Sequence, residues 1–333
     1  MYTESREPVN LSNGVCYVPG ETNVGIITNE KNGITELFLV DTGTSTPETF
    51  ATLDIIDEFF KKQNIKYIIK AIITTHGHPD HFGGHHYIKE KTNCEIWAGR
   101  LDQYCMENSV IHSTVIWGGY PPHGLRSKVF SPESVKIDRF IEEGDVIPIS
   151  GDRTISFIDV HGHTFSSHGI IVTNKEGEKI IFTGDALFSR KELGKFWIPF
   201  ILNPQEFLHS LKKLEKVENV ICMLPSHGDI ITGDIVEDTA ELNMISVLSA
   251  KQSILNALSQ KEYSTIDEIT KYVADVNQYK MSLGQYVLMN STIKSYLAIM
   301  CDNKIVKMVI EGNVLYFAKT TPDEQICNVA KKF

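Results

Sequence analysis

The chain has little with which to staple itself, cross a membrane or grip a polyanion. Its six cysteines (Cys16, Cys94, Cys105, Cys222, Cys301 and Cys327) are scattered and form no CxxC pair. They read as reduced thiols, not as a disulfide framework. No uninterrupted apolar run approaches the roughly 18 to 20 residues that a membrane span needs. The N-terminal stretch MYTESREPVN lacks the apolar segment of a leader. A cytoplasmic protein with no membrane partner is the expectation. Basic charge is scarce too: the formal net charge is −10, which argues against a polyanionic partner. Residues 250–333 hold 10 Lys against 8 Asp and Glu, whereas residues 1–249 hold 22 basic against 34 acidic side chains. An excess that small does not mark a nucleic-acid surface. Neither a serine nucleophile elbow nor a phosphate-binding loop is present.

What remains is an ordinary folded protein with an unusual concentration of histidine. At 333 residues, 42% hydrophobic and 22% charged, the chain suggests one large and one small domain. His76, His78, Asp80 and His81 fall within six residues, directly after an apolar run over 67–73. Imidazole with carboxylate suits zinc or iron, whereas calcium and magnesium prefer all-oxygen shells. His76 and His78 are two apart, so on an extended segment their rings project the same way and can share one ion. Asp80 and His81 follow Pro79, which turns the chain, and can face a second point. Four such groups on one short loop point to two adjacent metal ions.

Along the chain, β-prone runs at 15–18, 24–28 and 36–41 are broken by Pro19-Gly20 and Lys31-Asn32-Gly33 and read as an antiparallel meander. The third ends at Asp41, either a turn residue or a carboxylate that braces the metal loop. Pro47 opens a helical pattern to about position 63, with Phe50, Leu53, Ile56, Asp57 and Phe60 on one face. A helix over about 83–91 follows the metal loop, its His85 and His86 reading as packing or surface residues, and a strand is expected at 95–98. Residues 99–140 break the rhythm with Trp117-Gly118-Gly119-Tyr120-Pro121-Pro122-His123-Gly124. This segment is too rich in Gly and Pro for a regular element and too aromatic for a disordered linker. It reads as an ordered insertion walling a pocket, with Tyr120, His123 and Arg126 as candidate substrate contacts. Strands are expected at 154–160, 179–182 and 220–224, with a helix over about 203–217 opened by Asn203-Pro204-Gln205-Glu206. The alternation is that of an α/β protein with helices covering sheets.

One pattern recurs. Strands end in a His or Asp beside glycine, at His76 and His78, His163, Asp185 and His227. Strand ends gathered at one sheet edge make a rigid rim for a metal site. His161 suits a metal by chemistry as well as His163 does, and His161 and His168 are candidates for bracing donors.

Together these residues resemble the metallo-β-lactamase superfamily. The HxHxDH signature stands here as His76-Gly77-His78-Pro79-Asp80-His81, followed by His163 in Gly-His-Thr, Asp185 in Thr-Gly-Asp and His227 in Pro-Ser-His-Gly. The likeness covers about residues 10–245 and implies an αββα sandwich with two zinc ions at one rim, iron or manganese being the alternatives. It implies His76, His78 and His163 on one ion, Asp80, His81 and His227 on the second, and Asp185 between them. It also favours His163 over His161. His161 stands where proline is common, Phe165 and Ser166 where Pro-Gly is common, and Ser226 where glycine is common; none of these is a ligand position.

The implied chemistry is hydrolysis by a metal-bound hydroxide, with Asp80 as the catalytic residue that orients it. After a helical stretch at 234–260, Thr265-Ile266-Asp267-Glu268 forms a capping box for a helix to about 276. A helix over about 283–300 and β-runs at 305–310 and 314–318 complete a winged-helix layout. The expected domains are 1–248 and 249–333. The second tail helix carries Lys294 as its one basic residue, which favours a dimerisation or pocket-lining role over nucleic-acid binding. The leading expectation is a hydrolase of a small-molecule thioester, lactone or other ester. The alternatives are an endoribonuclease or phosphodiesterase, since the tail resembles that of lactamase-beta-like endoribonucleases, and an iron-dependent persulfide dioxygenase.

Overall fold

The computed structural model describes residues 6–12, 14–195 and 199–321. The first half of the chain builds one sheet. Strands β1 (Val9–Ser12), β2 (Val15–Val18), β3 (Val24–Lys31) and β4 (Ile34–Val40) form an antiparallel meander. Helix α1 (Pro47–Lys62), capped by Thr46 with proline at its first turn, returns the chain so that β5 (Tyr67–Ile73) pairs parallel to β4. Helices α2 (Pro79–Phe82) and α3 (His85–Thr92) then lead to β6 (Glu95–Gly99), parallel to β5. The expected insertion contains α4 (Gln103–Met106) and α5 (Val110–Trp117) and ends in β7 (Arg139–Ile141), which pairs parallel to β6.

The second half builds a sheet of six strands. β8 (Val146–Ile149), β9 (Arg153–Asp159), β10 (His168–Thr173) and β11 (Lys179–Gly184) run antiparallel. After α6 (Arg190–Lys195) and α7 (Pro204–Glu215), β12 (Val220–Pro225) lies parallel to β11, and β13 (Ile231–Thr232) closes the edge. Asn203 caps α7 by accepting from the N–H groups of Gln205 and Glu206. The remaining elements are α8 (Val236–Ala257), α9 (Ile266–Val276), α10 (Leu283–Asp302) and the hairpin β14 (Val306–Glu311) with β15 (Val314–Lys319). Capping boxes start α9 at Thr265 and α10 at Ser282.

The strand sequences explain the layering. Successive side chains on a strand face opposite ways, and here both faces are covered, so the strands read as continuous apolar runs. On β4, Phe38 and Val40 enter the core between the sheets while Leu37 and Leu39 pack outward beneath α1 and α3. On β5, Ala71 and Ile73 face inward and Ile72 outward; on β6, Trp97 faces inward and Ile96 and Ala98 outward. The opposite sheet supplies Phe157, Ile170, Val172, Phe182 and Leu224 to the shared core. Its far face is covered by α7 and α8, giving the four layers of an αββα sandwich.

A third core joins that far face to the tail. Ile181, Phe207 and Leu211 cluster with Val247 and Ile254 of α8, Ile269 and Val273 of α9, and Ile293 and Leu297 of α10. The boundary expected between 248 and 249 falls inside α8, which serves both units. Five cysteines are free thiols, and Cys327 lies outside the described residues. Among the described residues no helix is long and apolar enough to cross a membrane.

Phe207 is fully buried where α7 meets the second sheet. Phe207→Ala should therefore cost about 3–5 kcal/mol of stability, read as a lowered denaturant midpoint with an unchanged slope. An unmoved midpoint would refute the assignment of Phe207 to this core.

Candidate metal centre

The parallel strands β4 and β5, and β11 and β12, send their C-terminal ends to a common rim. Each end carries part of the site. β5 leads through Thr74 and Thr75 to His76, and the short helix α2 starts with His78 at its N-cap and Pro79 in its first turn. That tight turn separates the His76–His78 pair from Asp80 and His81, so the two pairs present to different points. Asp185 follows β11 and His227 follows β12. His163 sits on the loop between β9 and β10, where Gly162 (φ +119°) lies so close to the backbone of Phe207 that a Cβ there would clash.

All seven predicted residues come together. His76 Nε2 and His163 Nε2 lie 3.0 and 2.9 Å from His78 Nδ1, forming one group. His227 Nε2 and His81 Nε2 lie 3.3 and 3.8 Å from Asp80 Oδ2, forming a second. Asp185 faces both: Oδ2 is 3.4 Å from His163 Nε2, while Oδ1 is 3.6 and 3.5 Å from His81 and His227 Nε2. Either triad could hold one ion, with the Asp185 carboxylate between them.

The outward atoms of the rings are tied down. His163 Nδ1 donates to the Phe200 carbonyl at 2.7 Å, and His227 Nδ1 to the carbonyl of Glu21. His81 Nδ1 pairs with Asp41 Oδ2 at 2.8 Å. In the neutral ring, donation at Nδ1 leaves Nε2 as the lone-pair nitrogen, aimed into the site. Two of the inward atoms, His81 Nε2 and Asp185 Oδ1, are buried without any hydrogen-bond partner. A buried polar atom left unsatisfied costs about 1–3 kcal/mol, and two of them facing one gap fit a cation there.

Electrostatics point the same way. Burial and the neighbouring imidazoles hold His76 and His78 well below the usual histidine range, in the neutral form that binds metals. Burial would also lower His81 and His227, but the Asp185 and Asp80 carboxylates outweigh it, lifting His81 well above its ordinary value and His227 to about 9. Burial would raise Asp185, yet His227 and His81 hold it down at about 2.

Other predicted residues fall elsewhere. Tyr120, His123 and Arg126 are exposed on the insertion, where the Arg126 guanidinium lies 5.0 Å from the Tyr120 ring centre. No contact joins them to the seven rim residues among those described. The insertion instead reaches the centre through His112 of α5, whose ring lies 4.7 Å from that of His78. Burial pushes His112 down to about 4. Phe200, 5.3 Å from His78 and 5.7 Å from His163 between ring centres, forms the neighbouring wall. Neither residue belongs to a motif; the one available signal for His112 was its place in the wall-forming segment. His85 is a packing residue, held between the hydroxyls of Thr42 and Thr74 at 2.7 Å each, and His86 pairs at the surface with Glu133. Asp102 was also missed. It accepts from the Gly77 N–H at 2.9 Å, and its other oxygen is buried without a partner.

Comparison with protein families matches residues 17–268 to the metallo-beta-lactamase superfamily. The chain is 29% identical over 160 residues to a hydroxyacylglutathione hydrolase of Hyphomonas neptunium, covering 48% of this chain and 50% of that protein. It is 29% identical over 162 residues to the acyl-coenzyme A thioesterase MBLAC2 of Gallus gallus, covering 46% and 55%. The chain thus spans about half the length of these two relatives. In fold it is similar to a beta-lactamase domain protein from Burkholderia ambifaria, with a TM-score of 0.71, 16% identity and coverage of 94% and 93% of the two chains.

Asp41→Asn should weaken metal retention about 10- to 100-fold, the usual cost of losing an outer partner to a ligating histidine, as measured by competition with a chelator. Retention equal to wild type would show that Asp41 does not orient His81. Asp102 gives a pH prediction. Burial raises its pKa to about 8, against the N–H groups of Gly77 and Gly99 and the Ser166 hydroxyl, which favour the anion. The folded state then binds a proton that the unfolded state has already released, so stability falls as pH rises from about 4 to about 8. Asp102→Asn, which keeps an acceptor for Gly77, should flatten that slope in urea titrations across this range; an unchanged slope would refute the buried acid.

Proposed function

The chain belongs to the metallo-beta-lactamase superfamily, and from that footing we propose that it is a two-metal hydrolase of a small-molecule thioester or related ester. The observation that carries the reading is the convergence of two triads on one carboxylate, with His81 Nε2 and Asp185 Oδ1 buried and unpartnered in the gap. Nitrogen and oxygen donors in this proportion favour zinc among divalent ions. His76, His78 and His163 would hold one ion, Asp80, His81 and His227 the other, with Asp185 shared.

When bound, zinc supplies a Lewis acid for the substrate carbonyl and lowers the pKa of water to about 7. The chain's own residues supply position. Asp80, about half exposed while its Oδ2 faces His227, is placed to orient the attacking water. His112, neutral by virtue of its burial, offers a hydrogen bond to the substrate from the opposite wall. Phe200 excludes water beside His78 and His163. The exposed Tyr120, His123 and Arg126 are left to any portion of substrate that extends beyond the cleft.

The thioester class is supported by the named activities of the two relatives, a hydroxyacylglutathione hydrolase and an acyl-coenzyme A thioesterase. A net charge of −10 counts against RNA. So does the tail: α10 buries Val287, Ile293, Tyr296 and Leu297 and presents Lys294 as its one cation.

Elemental analysis of protein purified without added metal should find at least the two zinc ions of this centre per chain. A panel of thioester, lactone, phosphodiester and RNA should show turnover of the small esters. His78→Ala and Asp185→Asn should each lower that turnover by orders of magnitude while circular dichroism stays that of the wild type. Full activity in either variant, or one iron per chain with no hydrolysis, would overturn the proposal.

A further inference from the structure

A second group of metal-capable side chains lies outside this centre, at the root of the loop that carries His163. Asp159 ends β9 and His168 begins β10, and the two are opposed in register across the antiparallel ladder. His161 is two residues beyond Asp159, and its carbonyl is pinned by the Ser210 hydroxyl of α7 at 2.7 Å. Asp159 Oδ1 lies 3.3 Å from His168 Nε2 and 3.9 Å from His161 Nε2. One donor atom from each of the three is within 4.8 Å of the other two. Among the described residues no hydrogen bond joins the carboxylate to either ring. The three groups converge on one carboxylate oxygen at ion-pair distances.

We propose that Asp159, His161 and His168 form a separate site for one divalent transition-metal ion, with water completing its shell. Zinc–ligand distances of about 2.0–2.1 Å put the donors of a tetrahedral ion about 3.3 Å apart, the spacing of Asp159 and His168 here, while His161 at 3.9 Å from the carboxylate would move inward on binding. Two imidazoles and one carboxylate select zinc and its neighbours over calcium or magnesium. Asp159 and His161 are about one-third exposed, so an ion can enter from solvent, while His168 forms the buried floor. The nearest cation, Lys213, bonds to the Asp159 backbone carbonyl at 3.1 Å and is balanced by Glu143 at 2.8 Å. An ion here would clamp the two ends of the His163 loop together, fixing a principal residue of the main centre from outside it.

The test takes the full chain, stripped with a chelator, dialysed against graded Zn2+ and assayed for bound zinc. Wild type should hold one equivalent more than His161→Ala or Asp159→Asn, and His161→Cys should restore it. The partly exposed positions of His161 and Asp159 leave the core intact in these variants. Hydrogen exchange over residues 160–167 should slow by an increment beyond that from filling the main centre through His163, and that increment should be missing in His161→Ala. His76→Ala, run in parallel, reports on the main centre alone, so a failure of that reading is seen separately. Equal zinc in wild type, His161→Ala and Asp159→Asn overturns the second site whatever His76→Ala does.

Discussion

The Asp41 carboxylate accepts hydrogen bonds from the Thr75 N–H at 2.8 Å, the Thr75 hydroxyl at 2.7 Å and the Ser226 hydroxyl at 3.2 Å, and it pairs with His81 Nδ1 at 2.8 Å. Those partners belong to the ends of β5 and β12, and so to both sheets, and to the helix that opens the histidine loop. Asp41 itself takes a left-handed backbone (φ +57°), uncommon for a residue with a side chain. Its surroundings maintain that conformation because hydrogen bonds to a buried anion are worth about 1.5–3 kcal/mol each, and an unpaired one is costly. The spacing between the two triads depends on this one carboxylate, since it sets the angle at which His81 faces Asp185.

Much of the rim was legible in the sequence for a physical reason. Metal-capable side chains follow strand ends, β5 in one sheet and β11 and β12 in the other, and the sandwich brings those ends to one rim. His76, Asp185 and His227, far apart in the chain, were assigned together because they stand in the order of the family's motifs. His112 and Phe200 were not legible. One sits on a helix in an irregular insertion and the other follows α6 in a loop, so neither periodicity nor spacing says which way the ring turns. The strands themselves were read well where both faces are apolar, as in β4, β5 and β11. The short strands β1, β7, β8 and β13 escaped because each is two to four residues long and carries a polar residue or proline, whereas β2, equally short, is an unbroken apolar run. Strand β10 escaped because its His168 and Gly169 read as a continuation of the histidine-rich loop.

The tail was expected to be a separate unit with a role at the pocket or a dimer interface. Its α10 packs against the insertion and against the segment that follows α6. The Thr292 hydroxyl of α10 accepts the N–H of Ile201, next to Phe200, at 3.2 Å. Val287 of the same helix clusters with Ile116 and Leu125 of the insertion, and Phe200 packs against that cluster. The wall of the cleft is thereby held from behind by residues far along the chain, through ordinary apolar contacts. Helix α8 completes the connection by running unbroken from the sandwich into the tail core.

The loop bearing His227 is fastened to the start of the chain. The Asn23 side chain donates to the carbonyls of Pro225 and Gly228, and its N–H to that of Ser226, across a sequence separation of about two hundred residues. Contacts so distant in sequence are slow to form, because the intervening chain must first be brought into order. On a ribosome the order of events follows: the first sheet can assemble early, whereas the second triad stays open until most of the polypeptide has emerged. A nascent chain can therefore display the histidine loop long before it can hold an ion between the two sheets.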